Sequence, residues 1–234
     1  QWHNEALTYV LTRLGNSNLS PRDAAFGQLY TSTLSEFCQT KGISVNVSFN
    51  GDFKEFAKYA ETDICASTDQ FSPQAKDIIC RIKSNITDFV NERKSIANFN
   101  NEIETIRIES GRLTDNTESI ICGITASTAK HSIQFWNDNF DYYYDLFKAK
   151  LNPQNDGGSI NESGPNNQQD EINKKEFRIR WWLVGAADAG GAWRWGRIGA
   201  VAAGGVPGAV ACGLAGAAGH SLGSLISQSI ASLF

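Results

Sequence analysis

The chain reads as an all-α protein, an N-terminal helical bundle followed by a C-terminal glycine-zipper helical hairpin. Three observations predict this. Apolar residues recur at three- and four-residue spacing through most of the first two thirds of the sequence. A polar run rich in Asn, Gly and Pro, Asn152 to Glu171, then breaks the pattern. Beyond it, Arg178 to Phe234 is filled with Gly and Ala and carries no Asp, Glu, Lys or Arg after Arg197. The expected division is a bundle over 1–151, a linker over 152–172 and a hairpin over 173–234.

The elements follow in order. Leu7, Val10, Leu11 and Leu14 form a helical stripe that Gly15 to Asn18 stops. Ser20-Pro21 predicts the next helix start, serine as N-cap and proline in the first turn, with Phe26, Leu29, Tyr30, Leu34 and Phe37 inward. Ile43, Val45, Val47 and Phe49 alternate with polar residues and read as an extended connection. Phe53 to Cys65 reads as a short helix. Ser72-Pro73 opens what the spacing Ile78, Ile82, Ile86, Phe89, Ile96, Phe99, Ile103, Ile106 predicts as one helix to about Ser110. A further helix runs from Thr114 to about Leu151, and its aromatic end, FWNDNFDYYYDLF, reads as core.

In the tail, Gly204 to Gly208 around Pro207 predicts a turn between two helices, about Phe177–Ala203 and Pro207–Leu233. Gly196, Gly199, Gly208, Gly216 and Gly219 lie on a small-residue face of the kind that lets helix backbones approach closely. Trp181, Trp182, Trp193 and Trp195 stand among arginines and read as an interfacial anchor. Asp188, Arg194 and Arg197 oppose insertion of the first tail helix on its own, since a central charge costs about 2.5–3.5 kcal/mol on insertion scales. A partner helix, an oligomer or a protein core must cover them. The expected partners are therefore membrane lipid or protein met through the hairpin, in a homo-oligomer or larger assembly.

Chemistry is sparse. The sequence holds no P-loop, GxSxG, HExxH or dinucleotide fingerprint. No His stands at metal-ligand spacing, and no CxxC pair occurs. No catalytic residue, metal or cofactor is expected, and Glu102, Glu104 and Glu109 read as a solvated face. A net charge of −4 argues against nucleic acid as a partner. Four cysteines precede the linker and allow three pairings; Cys65–Cys80 and Cys38–Cys122 are favoured, the first because it bridges one helix–helix connection. Cys212 reads as a small apolar residue. His220 is the only readily titratable group past Arg197. Asn18, Asn46, Asn85 and Asn161 head glycosylation-type triplets. The chain contains no Met and begins at Gln1, so a secreted or cell-surface protein whose signal peptide has been removed is expected.

The opening HNEALTYVLTRL and the tail ADAGGAWRWGRIGAVAAGG resemble the two ends of uncharacterised small Bacteroidota proteins that join an Asn-rich helical body to a Gly/Ala-rich C-terminus. That resemblance implies a bacterial origin and brings no activity. The tail is also similar in style to glycine-zipper segments of bacteriocins and pore-forming peptides. The expectation is a secreted, non-enzymatic protein that associates with a membrane or self-assembles through its hairpin, a pore-forming toxin being one form. The alternative is a structural or cargo protein whose hairpin packs against protein partners.

Overall fold

The computed structural model describes residues 2–42, 64–66, 68, 71–151, 184, 187–192, 194, 196, 212–213, 216–221 and 223–225. The extended connection expected over 43–49, the helix expected from Phe53 up to residue 63 and the linker lie outside them. Helix is the only regular secondary structure among the described residues. The protein is predominantly helical, in the order α1 (Trp2–Asn16), α2 (Ala24–Thr40), α3 (Pro73–Val90), α4 (Ile96–Ser110) and α5 (Asn116–Leu151).

The longest helix, α5 at 36 residues, is the spine. Its first half meets α3 and α4: Glu118 accepts from the Ser72 backbone N–H at 2.7 Å, and Lys130 reaches Glu104 at 3.0 Å. Its second half meets α1 and α2. There Phe26 and Phe147 pack edge to face at 6.1 Å, and Gly15 lies so close to Leu146 that a Cβ would come within 2.6 Å. Trp136, Tyr30, Phe26, Phe99 and Phe147 are among the largest fully buried side chains of one core. The aromatic end of α5 thus serves that core, with Tyr142 left outward.

One helix start and one helix interior differ from the sequence reading. Ser20-Pro21 makes a turn, closed by Asp23 accepting from the Ser20 N–H at 2.8 Å, and α2 begins at Ala24 behind Asp23. Ser72 does cap α3, accepting from the Ala75 N–H at 3.3 Å. The single helix expected from Pro73 to Ser110 is instead an antiparallel pair. At its end Arg93 N–H donates to the Asp88 carbonyl at 2.8 Å while Glu92 takes a φ of 56°, a left-handed C-terminal cap. Ser95 then caps α4, and Phe99 packs back on Phe89 at 5.0 Å. Glycine normally supplies that left-handed residue, so a glutamate there left no sequence mark.

The glutamates of α4 are in ion pairs: Glu102 with Lys94 and Glu109 with Arg81, each at 2.5 Å, and Glu104 with Arg107 and Lys130. Hydrogen bonds from Arg107, then Lys130, hold the Glu104 carboxyl down at about 2. Asn85 is buried, donating to the Phe99 carbonyl at 3.3 Å and accepting from Lys94 at 2.5 Å, so it is no glycan acceptor in this fold.

A disulfide joins Cys65 and Cys80. The Cys38–Cys122 pair is absent: both are buried free thiols. Cys122 faces the Ala75 carbonyl at 3.8 Å, and burial pushes its thiol up to about 12. Burial likewise raises Cys38, with Cys212 adding to it. Replacing Cys65 and Cys80 by Ser should cost about 3 kcal/mol of stability, as expected for a short closed loop. Urea melts of the double variant check this, and wild type in reductant should move to the same midpoint.

Candidate functional site: a buried aspartate that joins the tail to the bundle

The described part of the tail lies in the same core as the bundle, through Val184, Ala189, Ala218 and Leu225. Residues 187–192 and 216–221 are helical and buried. Where the two segments cross, they touch through backbone. A Cβ on Gly191 would stand 2.6 Å from the Gly216 carbonyl oxygen, closer than real atoms approach. A Cβ on Gly213 would meet Ile124 of α5 at 3.3 Å and the Ala192 carbonyl at 3.5 Å. Small residues here bring the segments against each other and against the spine.

Asp188 sits at the centre with no solvent exposure. Ser132, on α5, donates its hydroxyl to Oδ2, and Trp136, one turn later, donates Nε1–H to the same oxygen at 3.2 Å. Ser221, from the second tail segment, donates to Oδ1 and lies 3.2 Å from the same indole nitrogen. His3, on α1, brings Nε2 to 3.4 Å from Oδ2, within ion-pair reach but without the alignment of a hydrogen bond. Its Nδ1 pairs with Asn4 at 2.9 Å. One carboxylate therefore gathers groups from α1, α5 and both tail segments. Tyr30 of α2 lies near enough to feel it; burial first, then Cys38 and Asp188, push its hydroxyl well above the ordinary tyrosine value, so α2 adds no charge.

A carboxylate, two serines and a histidine invite comparison with a nucleophilic triad, but the order is wrong. A nucleophile needs the imidazole between hydroxyl and carboxylate. Here both hydroxyls donate straight to the carboxylate, and His3 approaches from beyond it. The arrangement holds a buried charge in place. The donors match what a buried carboxylate requires, since hydrogen bonds to a charged group are worth roughly 1.5–3 kcal/mol each.

Of the interface residues expected from sequence, Gly196, Gly216 and Gly219 are buried inside this protein. Gly199, Gly208, Trp181, Trp182, Trp193 and Trp195 lie outside the described residues. Sequence reasoning missed Ser132, Trp136 and Ser221 as partners of Asp188. The available signal was the lone acid in the Gly/Ala run, opposite Ser132 and Trp136 at i and i+4 on one helix face. Burial lowers His220, beside Ser221, to about 4, with Arg194 adding to the shift.

A cavity of about 510 Å³ is bounded by Trp2, His3, Arg107, Ser110 and Thr128 among others. Among the described residues no cluster of His, Cys, Asp or Glu is arranged to hold a metal ion. Among them, too, no helix is long and apolar enough to cross a membrane. No family model, curated protein or solved structure matches the chain.

Asp188→Ala should destabilise the protein by about 3 kcal/mol, because it strands buried donors that water cannot reach. Chemical denaturation checks this, and a cycle with Ser132→Ala should give a coupling of at least about 1 kcal/mol. Gly191→Ala should cost about 1–3 kcal/mol, since the added methyl meets backbone that must move. Gly111→Ala, whose methyl would stand 3.4 Å from the Ile108 carbonyl, should be near neutral in the same melts.

Proposed function

We propose that this is a secreted, non-enzymatic protein that carries a glycine-rich hairpin sheltered against its helical bundle and associates with membranes when the hairpin is released. The observation that carries the reading is the buried Asp188, held by directional polar contacts from α5 and from the second tail segment. An apolar residue of similar volume would often give equal or greater stability at such a site. Polar groups hold one register firmly and, unlike greasy contacts, lose most of their grip once water enters. That suits a tail that must dock in one way and leave. Once out, the Gly and Ala faces are free to pack against other copies, and Asp188 and the arginines need an oligomer or a wet lumen around them. A pore is one product of such an assembly.

The second reading is a structural or cargo protein whose tail never leaves. It is favoured by the backbone contact of Gly191 with Gly216, which uses the small residues within a single chain.

Flotation with vesicles of anionic and neutral lipid separates them. Wild type at neutral pH should stay largely off the vesicles, while Asp188→Ala, with its docking weakened, should float several-fold more and release an entrapped dye. A variant that opens its tail by hydrogen exchange yet stays soluble and leaves vesicles sealed would leave the structural reading in place.

A further inference from the structure

We propose that the docked tail is an acid-sensitive latch, in which a proton taken up at His220 forces the two described tail segments, 187–192 and 216–221, off the bundle. The placement of His220 carries this. It is 1 % exposed and lies between Gly219, itself buried, and Ser221, whose hydroxyl donates to Asp188 Oδ1. An imidazolium there has no water to solvate it. Arg194, from the first tail segment, repels it. The cheapest escape moves Ser221 with it and undoes one side of the Asp188 contacts.

The sign follows from burial. Docked, His220 takes its proton only at about 4; released into water, it does so near the ordinary 6.5. Between those values the released state binds more protons, so docking weakens as pH falls through that window and recovers as it rises. The other groups around the site fall into three sets. Tyr30 and Cys38 on α2 are held uncharged by burial. On α1, His3 stands 3.4 Å from Asp188, within ion-pair reach. On α5, Ser132 and Trp136 do not titrate in this range. Their neighbour His131, lowered to about 4 by burial first and then by nearby positive charge including Lys130, loads α5 itself. Acid thus strains the latch at His220 and the spine at His131, and the variants below tell these apart.

The release rests on the burial of His220 beside the Asp188 contacts and on the window that burial sets; its use at a membrane rests on the function proposed above. Hydrogen exchange read by mass spectrometry, corrected for intrinsic rates, follows opening of peptides covering 187–192 and 216–221 in the full chain at about pH 7 and about pH 4.5. Wild type should open on the order of a hundredfold more at the lower pH. His220→Gln should lose most of that response, and His220→Leu, which keeps an apolar body in the site, should lose it too and covers the case where Gln does not fold. His131→Gln should keep the response. A wild-type tail equally protected at both values, or a His220→Leu tail that opens as wild type does, overturns the latch. Flotation of wild type at the lower pH tests the membrane use separately. Release without flotation keeps the latch and removes the membrane reading.

Discussion

The docking of the described tail segments depends on one buried charge. Asp188 enters a core that is otherwise apolar or weakly polar, and an unpaired carboxylate there would cost several kcal/mol. The neighbouring structure answers that cost. Ser132 and Trp136 occupy one face of α5, Ser221 comes from the far arm of the tail, and His3 closes the approach from α1. Because the donors sit on separate elements, the charge fixes where those elements lie relative to one another. Glycines then let them reach that distance. Gly191 and Gly216 touch through backbone, and Gly213 reaches the spine at Ile124.

The spine is shaped for this. Around Ile124 to Ser132 the inward positions of α5 are small: Thr125, Ala126, Thr128, Ala129 and Ser132 are buried. Bulky residues return at Ile133, Phe135 and Trp136, and again at Phe140, Tyr143 and Phe147, where α1 and α2 pack. The helix is thus narrow where the tail meets it and broad where aromatic rings fill the core. A zipper of small residues is commonly a means for two chains to meet, and here its described part joins parts of one chain.

Much of the bundle was legible because its signals are local. The stripe Leu7, Val10, Leu11, Leu14 gave α1, and the Ser72-Pro73 start was read correctly because cap chemistry is short-range. The α3–α4 break was not, since Glu92 makes the left-handed turn without a glycine and the isoleucine spacing runs on across it. The α2 start moved because Ser20-Pro21 closes into a turn, the Asp23 carboxylate accepting from the Ser20 N–H, and the helix begins only behind it. At the site, the sequence drew attention to small residues in the tail, but Gly191 and Gly213, which make the close approach, were not among those singled out, and the destination of the tail was not readable. Ser132 lies 56 residues from Asp188 and Trp136 52, and no local rule pairs groups across such distances. Asp188 read first as an obstacle to insertion; its burial in the protein's own core gives that obstacle a structural use.

One measurement bears most directly on the clasp: the indole N–H of Trp136, observed by NMR in nitrogen-labelled protein and assigned through Trp136→Phe. A tail docked through Asp188 predicts a slowly exchanging indole proton, with cross-peaks to the side chains of Asp188 and Ser221 and a resonance that shifts strongly in Asp188→Asn. An indole proton that exchanges freely with water, shows no cross-peak to either residue and ignores that substitution would contradict the clasp, and with it the sheltered tail.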